Sequence, residues 1–449
     1  MSAPRPLWQT FLAFLAPMML SNLLQSLSGT INSIYLGQMI GVDALAAASA
    51  FFPMMFLIIA FGIGMSSGAS VLIGQAWGAG ERDTVKAVAG TTLAVTLLLS
   101  ALVAVSGGLL SRPLMIALAT PADILDQADA YARAMMLMMP LIFVFILMTS
   151  LTRGVGDTVT PLLALALSTI LGLTITPALI QGWFGLPRSG VASAAWASAG
   201  STALTLVWLA AYLRRKNHPL APDMVFLRAI RLDGVLLRKI LRIGIPTALG
   251  MIVMSLAELV LLGLVNGFGS NATAAYGAVN QVLSYTRFPA LSISIAVSIF
   301  GAQAIGAGNT DRLGAIVRTG LLMNLVLTGT LVALGYLFAR PIMGLFITDP
   351  AVLELSLRLL HIVLWSSVAF GMATTFSGMM RASGTVFAPL GLSIVAIALI
   401  EIPSAIVLSH VIGIEGVWAA YPICFCAMFL LQMSYYVLVW RKRKVQRLI

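Results

Sequence analysis

The sequence predicts an all-α integral membrane protein, with twelve transmembrane helices in two six-helix lobes related by a pseudo-twofold axis along the membrane normal. Three observations lead there. Apolar residues make up 60% of the 449-residue chain and charged residues only 9%, with a mean hydropathy of +1.01. Soluble domains carry about 25% charged residues, so this chain has too few to cover a water-facing surface. Charge-free runs extend from Pro6 to Val42, Ala44 to Gly80, Ala87 to Ser111, Thr158 to Pro187 and Gly416 to Trp440. Each exceeds the roughly 20 residues that cross about 30 Å of hydrocarbon as a helix. Lastly, the chain repeats itself. Arg112-Pro113 and Arg340-Pro341, Gln75 and Gln303, Arg153 and Arg381, and Pro161 and Pro389 are all 228 residues apart. Pro177 and Pro403, and Gly190-Val191 and Gly416-Val417, pair at 226, a slip of two residues within one loop. A doubled apolar chain suggests two halves that rock around a shared central site, the organisation of a transporter.

Spans are expected at about 11–35, 46–73, 87–110, 130–152, 160–181 and 190–213 in the first copy. Those of the second copy are 240–264, 274–300, 316–338, 356–379, 387–410 and 415–439. The first run is too long for a signal-peptide core and no polar mature domain follows it, so it reads as the first span. The resulting organisation is an N-terminal lobe over 1–213, a basic linker over 214–239 and a C-terminal lobe over 240–449 with a basic tail. Pro17, Pro53, Pro140, Pro177, Pro246, Pro289, Pro403 and Pro422 fall inside spans, where a missing N–H kinks a helix.

Lys and Arg set the orientation. Arg5, Arg82, Lys86, Arg153, the cluster from Arg214 to Arg242, Arg312, Arg318, Arg381 and the tail from Arg441 to Arg447 share one side. Together they are 20 of the 26 basic residues. The other side has Arg112, Arg133, Arg188, Arg340 and Arg358. This asymmetry places both termini of a multi-pass membrane protein in the cytoplasm. Six spans is an even number, so the two copies insert with the same orientation. The basic linker reads either as a site for anionic lipid headgroups or as an orientation signal and solvated connector. The net charge of +11 follows topology rather than a nucleic-acid surface.

Ionisable groups within hydrocarbon default to functional hypotheses. Three sit well inside spans: Glu258 in the seventh, Arg287 near the middle of the eighth and Glu401 in the eleventh. All belong to the second copy, opposite Thr30 or a near neighbour, Ile59 and Ile175 in the first. An isolated carboxyl at low dielectric takes up a proton readily unless a cation holds it ionised. Glu258 and Glu401 are thus candidate ion-coupling residues, with Arg287 either modulating them or forming a static pair that fixes helix packing. Asn22, Gln25, Ser28 or Gly29, and Asn32 follow helical spacing along the first span and form a polar stripe that can line a cavity. Asn280, Gln281 and Tyr285 make a weaker stripe in the eighth. The substrate-cavity candidates are therefore Asn22, Gln25, Asn32, Asn280 and Tyr285; interhelical hydrogen bonding is the alternative for each. Cys424 and Cys426 are two apart on one helix, cannot bridge each other and carry no assigned role. Three histidines without metal-site spacing argue against a metal or hydrolytic centre, so no catalytic residue, metal or cofactor is assigned.

Specific stretches carry a resemblance. They are Pro17 followed by Ser21-Asn22-Leu23-Leu24-Gln25, Gly29-Thr30-Ile31-Asn32 ending at Gly37, and Asp43-Ala44-Leu45-Ala46-Ala47. Next come Gly74-Gln75-Ala76-Trp77-Gly78-Ala79-Gly80, Arg153-Gly154-Val155-Gly156-Asp157 and Arg381-Ala382-Ser383-Gly384. Along essentially its full length the chain resembles the multidrug and toxic compound extrusion (MATE) family. The resemblance implies a V-shaped pair of six-helix lobes and a cation-coupled antiporter, driven by inward H⁺ or Na⁺, that exports organic cations, drugs or metabolites. Glu258 matches an acid found in the seventh span of other members. The chain departs from the family's pattern at Asn32, where members often carry an acid, and at Gly172 and Thr176, where some carry Asn and Asp. An acid expected in the tenth span is missing, and Glu401 is the available substitute. The expected partners are the lipid bilayer and small organic cations, not nucleic acid, and a monomer is the expected state.

A lipid-linked oligosaccharide flippase of the same superfamily is the alternative; it calls for more cavity cations than Arg287 alone. A membrane enzyme needs a nucleophile–base pair or metal ligands, which the isolated His361 and His410 do not supply. A receptor or scaffold does not need the doubled architecture.

Overall fold

The computed structural model describes residues 6–185 and 190–449. Arg5 and Arg188, both used in the sidedness argument, lie outside these. The described residues contain helices and no strand, as the bilayer demands, since a spanning helix satisfies all of its own backbone groups. The first copy comprises α1 (Leu7–Tyr35), which runs into a π-helical turn (Leu36–Ile40), then α2 (Val42–Gly78), α3 (Arg82–Ala117), α4 (Leu125–Leu137), α5 (Met139–Gly154), α6 (Val159–Gln181) and α7 (Ala192–Arg215). A short α8 (Met224–Ala229) lies in the linker. The second copy comprises α9 (Gly234–Asn266), α10 (Ser270–Gly306), α11 (Leu313–Leu337), α12 (Ala339–Gly344), α13 (Pro350–Val363) and α14 (Ser366–Ala382). It ends with α15 (Phe387–Val395), a π-helical stretch (Ala396–Glu401), α16 (Ile402–Ile412) and α17 (Ile414–Leu438).

Ten helices among the described residues are long and apolar enough to span a membrane, and twelve spans result if each of two bent pairs counts as one. Those pairs are α4 with α5, bent by 48°, and α13 with α14, bent by 41°. They are the fourth and tenth spans. The helix continues through Pro17, Pro53, Pro177, Pro246, Pro289 and Pro422. Among the expected proline kinks, the clean break comes at Pro140, two residues past Met138.

The bend between α13 and α14 has no proline. There the hydroxyl of Tyr336, on α11, is inserted into the helical ladder. The Trp365 N–H, whose partner in an unbroken helix is the His361 carbonyl, donates instead to Tyr336 Oη at 3.2 Å. Tyr336 in turn donates to that carbonyl at 3.0 Å. A side chain interposed in this way opens the helix. Tyr336→Phe is expected to cost about 1–2 kcal/mol, since one N–H and one C=O lose their partner. A lower melting temperature in detergent is the readout, and an unchanged one would show that the bend is set elsewhere.

The 228-residue repeat is written into the backbone. Gly41, Gly80 and Gly156 have φ of 132°, 78° and 94°, and Gly269, Gly308 and Gly384, each 228 further on, have 97°, 74° and 77°. These six turns need the conformation that only glycine adopts without strain. The Arg112–Asp126 ion pair recurs as Arg340–Glu354. Ser150 on α5 donates to the Ser66 carbonyl on α2 at 3.2 Å; its counterpart Gly378 on α14 lies directly against the Ser294 carbonyl on α10. Small residues bring helices together at the same place in both copies.

The chain divides into two compact units. One holds Leu20–Ile245; the other holds Pro246–Ile449 and the stretch up to Met19. The divisions fall inside α1 and α9, not at the linker. Each unit has its own apolar core, around Phe51, Met115 and Tyr131 in the first and Leu261, Leu360 and Trp418 in the second. Long apolar side chains such as Leu109 (75% exposed) and Val411 (72%) point outward, as lipid-facing residues do. Helix α10 is the exception among the spans. In its most apolar window 67% of residues are buried, against 11–39% in the other unbroken spans, so it is the central helix of its unit. Arg287 lies on this helix.

Candidate functional site

Glu258 on α9, Arg287 on α10 and Glu401 at the end of the π-helical stretch all line one small cavity in the Pro246–Ile449 unit. Met254, Ala257, Ile397, Tyr421, Phe425 and Met428 complete its wall. The space inside for the centre of a water-sized sphere is about 10 Å³, the minimum for a single water. An ion or a water fits; a drug-sized molecule does not.

Arg287 organises the site. Its Nη1 is 3.4 Å from Glu258 Oε1. The Glu258 side chain is 47% exposed and that of Arg287 only 11%. The guanidinium carbon lies 5.6, 5.9 and 5.1 Å from the ring centres of Phe370, Tyr421 and Phe425. Those distances suit attraction between a cation and aromatic faces. Nε and Nη2 of Arg287 are buried and meet no acceptor. Such orphaned donors are rare and point either to a missing partner or to a second arrangement.

Glu401 is 4% exposed. The π-helical turn that ends on it re-aims its side chain relative to a regular helix, and Pro403 immediately beyond removes a further ladder donor. The Cys424 thiol is within hydrogen-bonding reach of its carboxyl. Cys424 therefore has a place in the site that its spacing from Cys426 did not suggest. A hydroxyl chain runs alongside: Tyr276 donates to the Glu258 carbonyl at 3.3 Å and lies 3.0 Å from the Tyr421 hydroxyl. Asn280 lies close to Tyr276. Tyr285 is half-buried and accepts from Gln281 at 3.4 Å.

The structure thus brings together the three ionisable residues expected from sequence and adds Phe370, Tyr421, Phe425 and Cys424. Asn280 reaches the same network but, like Tyr285, does not line the cavity. Asn22, Gln25 and Asn32 belong to the Leu20–Ile245 unit, where Asn22 and Asn32 are half-buried and Gln25 is exposed. The aromatic cage had a signal in the sequence. The positions matching Arg287, Phe370, Tyr421 and Phe425 in the first copy are Ile59, Ile142, Ala195 and Ala199. Large aromatic residues opposite alanines mark the place where the two copies diverge.

The MatE family model matches residues 17–178 and again 246–407, two segments of equal length that together cover most of the chain. The chain belongs to the MatE family. This MatE protein is 44% identical over 444 residues to the probable multidrug resistance protein YoeA of Bacillus subtilis (strain 168), a match covering 98% of this chain and 96% of that one. It is 26% identical to the probable multidrug resistance protein NorM of Thermotoga maritima, over 90% of this chain and 86% of the other. Among solved structures it superposes on a mutant of the Vibrio cholerae MATE transporter VcmN with a TM-score of 0.90, at 20% identity, covering 98% of both chains. This MatE protein is therefore a multi-pass membrane protein of a multidrug efflux transporter family.

Proposed function

We propose that this protein is a cation-coupled antiporter that exports organic cations, drugs or metabolites by alternating access, driven by inward H⁺ or Na⁺. The carrying observation is the small cavity lined by two carboxyl groups and a single guanidinium. With Glu258 and Glu401 both ionised, Arg287 neutralises only one of them, so the site has affinity for one further positive charge. Its size suits H⁺ or Na⁺ and excludes the exported molecule. Binding and release of that ion bias the protein between inward- and outward-open states, because the ion has different partners in each. The polar positions Asn22, Gln25 and Asn32 in the Leu20–Ile245 unit, and Asn280 and Tyr285 in the other, are each proposed as contacts for the exported molecule.

The protein acts in this reading in the bacterial cytoplasmic membrane, as a monomer with both termini in the cytoplasm. The bias of Lys and Arg supports that orientation. The test is uptake of a fluorescent organic cation into inside-out vesicles containing the full chain, with H⁺ and Na⁺ gradients imposed separately. One gradient should drive uptake and the other should not. Uptake that ignores both gradients would overturn the reading.

A further inference from the structure

The linker between α7 and α9 is a built surface and not a loose connector. Asp223 caps α8 by accepting from the Phe226 N–H at 2.8 Å, and it also pairs with Lys86 on α3. Arg214 Nε donates to the Pro222 carbonyl at 2.8 Å. Gly90 on α3 lies so close to the Ala229 carbonyl that any side chain there would clash, so α8 rests backbone-to-backbone on α3. Asp233 caps α9 by accepting from the N–H groups of Val235 and Leu236 at 2.9 and 3.1 Å. All of these residues belong to the Leu20–Ile245 unit.

What this frame holds outward is unusual for a connector. Phe226, at 2% exposed, points inward and anchors α8. At helical spacing, Met224 and Arg228 then lie opposite it and Val225 and Leu227 on its two flanks, and the three apolar ones are 65%, 53% and 47% exposed. Leu232 and Val235 continue the apolar surface at 59% and 66%. Arg228, Arg231 and Arg238 are exposed among them. From Arg214 to Arg242 there are eight basic residues and two acids, and both acids are used as helix caps. A solvated connector has no need to present five large apolar side chains. The segment joins two membrane spans and so lies at the bilayer boundary, beside the headgroups of the leaflet.

We propose that the segment from Met224 to Arg242 is a docking surface for anionic phospholipid, its apolar side chains entering the headgroup–acyl boundary and its arginines binding the phosphates. Apolar residues interleaved with arginine fit that interface, and the charge complements an anionic leaflet. The surface is separate from the Glu258–Arg287–Glu401 site and does not depend on how transport is coupled.

The test uses the full chain in detergent. Retention of phosphatidylglycerol is compared with that of phosphatidylcholine by native mass spectrometry. Phosphatidylglycerol should be preferred, and Arg228→Gln combined with Arg231→Gln and Arg238→Gln should lower its retention roughly ten-fold. The Lys versions of the same three substitutions should retain it, which separates lost charge from lost folding. Removing three charges from the tail, Arg441→Gln with Lys442→Gln and Arg443→Gln, should leave it intact. Equal loss from linker and tail variants would show unspecific charge attraction and overturn the proposal, as would no loss from the linker variant. A photo-crosslinker at Leu227 in native membranes should label phospholipid; a discrete protein adduct there would overturn the proposal in favour of a protein partner.

Discussion

Glu258→Gln is expected to uncouple export from the driving gradient, lowering gradient-driven uptake into inside-out vesicles by about 10-fold or more while the protein still folds and inserts. The substitution keeps the shape of the side chain and one hydrogen-bonding oxygen, so the loose 3.4 Å contact with Arg287 is replaced by a neutral one. What the amide cannot do is take up and release a positive charge. The coupling free energy of a two-site system is typically 1–3 kcal/mol, or about 5–150-fold, and all of it passes through this exchange in the proposed mechanism. Glu258 is half-exposed, so the ion pair itself contributes little to stability and the melting temperature should hardly move. Glu401→Gln is the companion measurement. Glu401 is almost fully buried beside Cys424, so its loss should lower transport while raising or preserving stability. If Glu258→Gln transports at the normal rate with the normal gradient dependence, coupling does not run through this site.

Arg287→Met is expected to separate stability from function more sharply. The guanidinium costs the fold something: two of its donors are buried without acceptors, at about 1–3 kcal/mol each. Against that stand three aromatic rings within 6 Å, worth about 0.5–2 kcal/mol, and a loose pair with an exposed carboxylate, worth at most about 1 kcal/mol. The unfavourable side is the larger. A methionine, shorter but flexible, packs apolar atoms toward the cage and leaves no buried donor, so the variant should be as stable as the parent or more stable by about 1 kcal/mol. Transport should fall about 10-fold, because Glu258 and Glu401 then face one cavity with no cation to set their charge. A melting temperature several degrees lower, with transport intact, would make Arg287 a structural residue and remove it from the mechanism.

The membrane class, the twelve spans and the doubling were legible because they rest on local or periodic properties. Hydrocarbon selects long apolar helices regardless of tertiary context, and duplicated turns keep their glycines, as Gly80 and Gly308 do. The bent fourth and tenth spans show where such reading stops. Pro140 marks one bend in the sequence; the other depends on Tyr336 reaching across from α11, which no local pattern encodes. The two units likewise divide within α1 and α9 and not at the basic linker, since compactness follows packing and not charge.

By itself, then, the sequence determined that Glu258, Arg287 and Glu401 are costly ionisable groups within spans, confined to the second copy, because the expense of a charge in hydrocarbon depends on the residue and its span alone. Only the tertiary structure decided that they share one cavity, that Phe370, Tyr421 and Phe425 cage the arginine, and that Cys424 touches Glu401. Those facts depend on how five spans pack and on a π-helical turn that rotates Glu401 relative to its neighbours. A rotation of that kind leaves the hydropathy of the span unchanged, so it has no trace in composition or spacing.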